Sequence, residues 1–316
     1  HSAMSVQHLA TLQANQRQQV LDLIQRSAIF DNSPPIAEHI LLHLRHGGDK
    51  SDSHLVHQVQ SKVIGYAHLD QTDLVAGPSV ELVVDPDHRS SGIGRQLLSK
   101  AVEICGQNLR LWVHGENEAA AALANSFNFE KIRTVLQMQK QLTDIEKLPD
   151  IDPKIIIRSF LPGLDSNDWL KLNNKVFKDH PEQSDWQLSD LNHRLGEEWF
   201  DEKGFFIASF NNQMIGSTWT KIHGALTHDH GGFHDHPAIG EIYITAVDPA
   251  YSRGGLGRAL TITALNYLKY QGLTDAMLYV DFDNVRALKL YTALGFTKFG
   301  EDFLYKVKKL DHKLKN

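Results

Sequence analysis

The chain writes the same strand, turn, loop and helix start twice. "VDPDHRSSGIGRQL" runs from Val84 to Leu97, and "VDPAYSRGGLGRAL" from Val247 to Leu260, 163 residues later. In each copy an apolar run ends in Asp-Pro, passes through glycines and opens a helix. With 316 residues, each copy has enough chain to bury a core of its own. The period is far longer than the roughly 20–50 residues of a solenoid unit. Two copies of one domain, arisen by internal duplication, are therefore expected.

The order of elements repeats as well. In the first half the patterning predicts helices over 16–30 and 34–46, the second marked by Ser33-Pro34-Pro35. A hairpin in "HLVHQVQSKVIGYAHL" and the strand "SVELVV" follow. After the glycine loop come a helix from Gly94 to about Gly106, the strand "LRLWVH", the helix "ENEAAAALANSF" and a last strand, "KIRTVLQMQKQL". The second half gives helices near 166–178 and 187–198, the hairpin "GFFIASFNNQMIGSTWTKI" and the long strand "GEIYITAV". The helix "GLGRALTITALNYLKYQG", the strand "DAMLYVD", the helix "NVRALKLYTAL" and the strand "EDFLYKVKK", which closes the unit, complete it. Asn117 stands 12 residues before Phe129, and Asn284 the same distance before Phe296. Polar residues and two prolines between the halves mark a linker, which sets expected domains at 5–142 and 154–316 with 143–153 between them.

A formal charge of −6 argues against a general nucleic-acid binder and favours a small-molecule partner. No apolar run reaches the roughly 20 residues of a membrane span, and no basic-then-apolar leader is present. A cytoplasmic protein without membrane contact is expected. "HSAM" at residues 1–4 reads as a cloning remnant. Cys105, the single cysteine, excludes an internal disulfide, and its helical apolar setting reads as a buried structural thiol.

A strand that turns through glycines into a helix aims several backbone N–H groups at one point, where the helix dipole adds positive charge. That is a phosphate site. Gly254, Gly255 and Gly257 let backbone approach an anion, and Arg253 and Arg258 add charge. The loop lacks the Gly-Lys-Ser/Thr of a P-loop, and its glycine spacing does not suit a dinucleotide fold.

Arg-x-x-Gly-x-Gly after a long strand, then a strand, an Asn-x-x-Ala helix and a "LGF" turn, resembles the GNAT superfamily of N-acetyltransferases. Arg89, Gly92 and Gly94 fit that pattern, whereas Ser252 replaces its first basic residue in the second half. "GEIYITAVDPAYSRGGLGRALT", "MLYVDFDNVRALKLYTALGF", "NNKVFKDHPEQ" and "WTKIH" narrow the resemblance to a two-domain branch. The resemblance implies an α/β (α+β) fold of two tandem GNAT domains, each a mixed bent sheet flanked by helices, and acetyl-CoA as donor at up to two sites. In the second half those sites comprise Thr245, Ala246 and Val247; Ser252, Arg253, Gly254, Gly255, Leu256, Gly257 and Arg258; Tyr279; and Asn284, Val285, Arg286, Ala287, Leu288 and Lys289. In the first half they comprise Leu82, Val83, Val84, Ser90, Ser91, Gly92, Ile93, Gly94 and Arg95.

Acetyl transfer to an amine needs a base for the amine proton and an acid for the departing thiolate. Strict alternation places Glu241, Tyr243, Thr245 and Val247 on one face of "GEIYITAV", which makes Glu241 the candidate base. Tyr291, two helical turns beyond Asn284, is the candidate acid; packing as a core aromatic is the competing reading. At the offset of 163 Glu241 becomes Pro78, and at the offset of 167 between Asn117 and Asn284 Tyr291 becomes Ala124; neither moves a proton, so only the second half is expected to catalyse. The resemblance further implies that Glu38, Glu182, Lys221 and Glu241 hold a cysteinyl-glucosaminyl-inositol amine; a monomer is expected because the duplication already supplies two units in one chain. Another small amine as acceptor, or a non-catalytic acyl-CoA sensor, remain as alternatives. "HGALTHDHGGFHDHP", residues 223–237, reads as a mobile polar loop or lid in preference to a metal site.

Overall fold

The structure, a computed structural model, describes residues 5–46, 52–73, 76–180, 183–197, 199–223 and 238–309. Two compact units emerge, and the first is built from two separate stretches of the chain. One comprises His1–Val135 with Gly300–Asn316, the other Leu136–Phe299.

The first unit contains β1 (Val6–Leu9), α1 (Ala14–Asp31), α2 (Glu38–His46), β2 (Asp52–Val59), β3 (Lys62–Asp70), β4 (Ser79–Val84), α3 (Ile93–Cys105), β5 (Arg110–His114), α4 (Glu118–Ser126) and the start of β6 (Phe129–Gln141). The second contains the rest of β6, β7 (Ile156–Ser159), α5 (Ser166–Val176), α6 (Leu188–Leu195), β8 (Phe205–Phe210), β9 (Gln213–His223), β10 (Ile239–Val247), α7 (Leu256–Tyr270), β11 (Asp275–Asp281) and α8 (Val285–Ala293). The final strand, β12 (Thr297–Val307), crosses back.

Both sheets are mixed. β1 to β4 pair antiparallel in order, and β4 pairs β5 in parallel. β7 to β10 repeat the antiparallel series, and β10 pairs β11 in parallel. α1 and α2 cover one face of the first unit's strands, packing Val20, Leu23 and Ile40 against Tyr66 of β3, while α3 packs Leu97, Leu98 and Ala101 on the other. In the second unit α7 buries Ile262, Leu265 and Leu268 against Ile242 and Leu278. On the opposite face, Trp169 of α5 stacks edge-on to Trp219 and donates its indole N–H to Ser217 Oγ at 3.0 Å.

The expected elements are present, with two short strands, β1 and β7, added. α2 begins at Glu38 instead of residue 34, because Ser33–Ala37 forms an irregular turn that Ala37 N–H ties to Glu81 Oε1 at 3.0 Å. The larger difference lies at the end. "EDFLYKVKK" does not close the unit of the second half; Asp302 to Lys306 pair antiparallel with His114 to Arg110 of β5. The place beside β11 is taken by the second part of β6, whose Met138 joins the core of α7.

Side chains fasten the returning strand. His114 Nδ1 meets Asp302 Oδ1 at 2.7 Å, and its Nε2 meets Glu81. Glu81 and Asp302 are buried, and the His114 side chain is 10% exposed. Burial alone would depress the His114 pKa, but the charges of Glu81 and Asp302 lift it to about 10, so the ring is a cation at neutral pH. On the same sheet a second polar chain runs from Asp52 to His68 (3.0 Å), on to the Tyr66 hydroxyl (3.0 Å) and to His54 Nδ1 (2.6 Å). Burial, with His68 and His8 nearby, pushes His54 down to about 4 and keeps that ring neutral.

Candidate active site

The two glycine loops share one construction. Pro86 and Pro249 follow an Asp whose carboxylate accepts the N–H two residues on, Asp87 and Ala250 respectively. A helix on the opposite face supplies each Asp with a cation: Arg26 reaches Asp85 at 2.7 Å, and Lys175 reaches Asp248 at 2.9 Å. Burial would raise Asp248, but Lys175 and the Ala250 N–H hold it below the ordinary carboxylate range. Gly92 and Gly255 then cap α3 and α7 in the left-handed region, at φ 87° and 86°, which a side chain resists. In α7 the first intrahelical bond is Ala259 N–H to Gly255 O. The N–H groups of Leu256, Gly257 and Arg258 precede it at the positive end of the dipole.

Beside the loop the strands splay. The parallel ladder of β10 and β11 ends at Ile242–Leu278, although the strands continue to Val247 and Asp281. Past that pair the ladder does not continue, and Tyr279 lies on β11 just beyond it. β4 and β5 part in the same way after Val80–Leu111, which puts Leu82, Val83 and Val84 along the corresponding edge of the first unit.

A β-bulge in β10 overturns the strict alternation expected there. Thr245 pairs Thr218 and Ile244 pairs Trp219, but Thr220 pairs Ile242, which leaves Tyr243 as the extra residue. Directly paired residues share a face, so Glu241, opposite Lys221, lies on the side of Trp219 and Ser217. Thr245 and Val247 lie on the other side, where the Thr245 and Thr218 hydroxyls meet at 3.0 Å. In the first unit β4 pairs β3 from Val84 to Ser79 without a shift. By pairing, then, Glu241 corresponds to Ser79, opposite Asp70, and not to Pro78.

Glu241 is buried and its Oε1 accepts from His223 Nε2 at 2.8 Å. Lys221 lies on the same face, its ammonium over the rings of Trp199 (4.7 Å) and Tyr243 (5.6 Å). The Tyr243 hydroxyl accepts from Arg194 Nε at 2.9 Å. Tyr291 comes from the other side: it is buried among core residues, and Thr245 lies close to its hydroxyl. Burial raises its pKa, which keeps the phenol protonated. Tyr291 is thus a core aromatic on the α8 side of β10.

Several other expected residues carry structural duties too. Asn284 Oδ1 caps α8 through Ala287 N–H at 3.2 Å, and Ala287 and Leu288 lean on the core. Ser252 and Ser91 donate back to the carbonyls of Pro249 and His88. Arg89 grips Asp31 through both terminal nitrogens, at 2.6 and 2.7 Å, so this first pattern arginine serves α1. Arg258 pairs with Glu146 of the linker, and Pro149 lies beside Gly255. Arg95 stacks on Phe127. Cys105 is half-buried, and burial raises its thiol pKa. Glu38 opens α2 in the first unit. Glu182 and loop residues 224–237 lie outside the described residues. His223, read from sequence as the start of that loop, is the last residue of β9, and sequence reasoning missed it as a partner of Glu241. Among the described residues no group of three or more His, Cys, Asp or Glu side chains could hold a metal, and no helix is long and apolar enough to cross a membrane.

This combination of splayed parallel strands, glycine loop and bulged central strand defines an acetyltransferase of GNAT type. The Acetyltransferase (GNAT) family model matches residues 18–129 and again 169–296, and the chain belongs to that family as a tandem member. It is 42% identical over 294 residues to the mycothiol acetyltransferase of Acidothermus cellulolyticus, covering 90% of this chain and 89% of the relative. The mycothiol acetyltransferase of Streptomyces coelicolor is 37% identical over 304 residues, covering 96% and 95%. Among solved structures, a GCN5-related N-acetyltransferase from Sphaerobacter thermophilus superposes with a TM-score of 0.69 at 17% identity, covering 96% of both chains. A tandem GNAT protein from the clavulanic acid biosynthesis pathway gives 0.64 at 18% identity, covering 97% of this chain and all of the other. These two likenesses concern the fold.

Proposed function

We propose that the chain transfers acetyl from acetyl-CoA to the cysteinyl amine of 1-D-myo-inosityl 2-(L-cysteinyl)amido-2-deoxy-α-D-glucopyranoside, the last step of mycothiol biosynthesis. The observation that carries the reading is the bulge that seats Glu241 beside Lys221 and His223, in a chain 37–42% identical to mycothiol acetyltransferases. Acetyl-CoA supplies the thioester, whose C–S bond breaks as the C–N bond to the amine forms. Glu241 takes the amine proton, most simply through a water. Backbone N–H groups near Val247 polarise the carbonyl, and Tyr291 delivers its phenolic proton to the leaving sulfur. The N–H groups of Leu256, Gly257 and Arg258, with Arg253, hold the pyrophosphate.

Catalysis is assigned to residues 154–316. The first domain, residues 5–142 joined by 143–153, keeps a glycine loop and a splay of its own and is read as a second acetyl-CoA site without transfer activity; Ser79 and Ala124 stand where base and acid would be. Glu38, Glu182 and Lys221 are assigned to the acceptor on family resemblance. The protein is read as a cytoplasmic monomer that acts on a small thiol-bearing glycoside and binds neither nucleic acid nor membrane.

Purified protein mixed with acetyl-CoA and the cysteinyl-glucosaminyl-inositol is expected to release free coenzyme thiol at a rate well above hydrolysis. Release with an aminoglycoside or polyamine but not with this acceptor would replace the substrate assignment. No release with any amine would overturn the enzyme reading. In the same assay Tyr291→Phe is expected to lower kcat about 10²-fold with KM for acetyl-CoA nearly unchanged, since the lost proton is needed only as sulfur departs. Gly255→Val forces a β-branched residue to φ 86° at the cap of α7, at a cost of about 1–2 kcal/mol. It is expected to raise KM for acetyl-CoA about tenfold; an unchanged KM would remove the loop from the coenzyme site.

A further inference from the structure

We infer that His223 is a positioning residue for Glu241, orienting the carboxylate that accepts the amine proton. The inference rests on reading Glu241 as the base. His223 pairs with Ile239 and Lys221 with Glu241, so the imidazole approaches the carboxylate diagonally across β9 and β10 on one shared face. Its Nε2 stands 2.8 Å from Oε1, and both side chains are shielded, at 4% and 9% exposure. A carboxylate oxygen only accepts, so Nε2 carries the proton and donates it to Oε1. That leaves Oε2 as the oxygen to take the amine proton.

The arrangement depends on the bulge. Without the extra residue at Tyr243, Glu241 would turn to the α7 face, away from His223 and Lys221. The first unit supplies the contrast: β3 and β4 pair without a shift, and Thr72 lies two residues past Asp70 where His223 lies two past Lys221. At the positions that correspond by pairing, the β9–β10 bulge, the carboxylate of Glu241 and the imidazole of His223 have no counterpart in the first unit, where β3 and β4 pair without a shift and Ser79 and Thr72 stand instead. A long flexible glutamate held at one oxygen has few rotamers left, which is what a base working through a single water requires.

Four variants test this: Glu241→Gln, His223→Gln, His223→Asn and the double variant Glu241→Gln/His223→Asn. The Gln amide reaches the Nε2 position of the imidazole and can donate to Oε1; the Asn amide stops short. His223→Asn is expected to lose about 10²-fold in kcat, the effect of a small misplacement of a reacting group, with KM for acetyl-CoA unchanged. His223→Gln should restore most of that rate, which a merely structural role would not separate from Asn. The double variant should be no slower than Glu241→Gln alone, because a base that is gone cannot be misplaced. Equal kcat for His223→Asn and wild type, with Glu241→Gln impaired, would overturn the positioning role and leave the base standing. Unimpaired Glu241→Gln would overturn both.

Discussion

Glu241→Gln is expected to lower kcat by about 10²–10⁴-fold at neutral pH, the range a positioned general base contributes. The substitution keeps shape and volume, and its amide oxygen still accepts from His223, so folding and coenzyme affinity should be spared. What is lost is the ability to receive a proton. The amine on an amino acid has a pKa near 8, so most of it is protonated and unreactive at pH 7. Without Glu241 the reaction must draw on the neutral fraction already in solution, and that fraction grows tenfold per pH unit until the amine is titrated. The deficit of the variant should therefore narrow between about pH 7 and 9 while wild type changes less. Steady-state rates over that range, with acetyl-CoA saturating, measure it. A variant that keeps wild-type kcat at pH 7 would remove Glu241 from the chemistry.

The glycine loops could be read in advance because their signal is local: Asp-Pro, glycines and a helix start within fourteen residues fix a turn whatever surrounds it. Glu241 and Tyr291 were legible for a related reason, since strand and helix periods are short. The face of Glu241 was not. One extra residue at Tyr243 reverses every side chain upstream of it, and a bulge is visible only against the partner strand, here Thr220 and Trp219 of β9. His223 was hidden by its company, because the histidines that follow it made a strand end look like a loop. The exchange of last strands was hidden more deeply. β6 and β12 are copies of one another in pattern, so nothing in their periodicity says which of them belongs beside β5. The choice is recorded in long-range pairs such as His114–Asp302, 188 residues apart.

That pair leads to the second large effect. His114→Leu is expected to destabilise the first unit by about 3–5 kcal/mol at pH 7, because it leaves Glu81 and Asp302 buried without their shared cation. Removing one member of a buried ionic group costs more than the group itself contributes. Urea unfolding followed by near-UV signals would measure the loss, and a change below about 1 kcal/mol would show that the group is idle. Wild type carries a matching pH signature. The folded-state pKa of His114 is raised, to about 10, above the ordinary value near 6.5. Its contribution is therefore fully present below about pH 6.5 and is lost as pH rises through about 10. Wild-type stability should decline over that window, and His114→Leu should show little of the decline. Because Ala37 N–H hangs on Glu81, the turn into α2 should loosen with it.

The returning strand also governs when the molecule can fold. A nascent chain normally completes its N-terminal domain before the next one is made. Here the ribosome has to reach Val307 before β5 gains its neighbour, so the first-made unit is among the last to be finished. Throughout synthesis of the second half, β5 presents an unsatisfied edge of the kind that recruits stray strands. Cutting the chain at the linker would make that interval permanent: each half would be expressed with the wrong last strand at hand, free to fold back on itself or to capture the strand of another molecule. A break in the chain at the linker would therefore not be a clean division into two domains, because the last strand of the first unit is encoded at the far end of the chain.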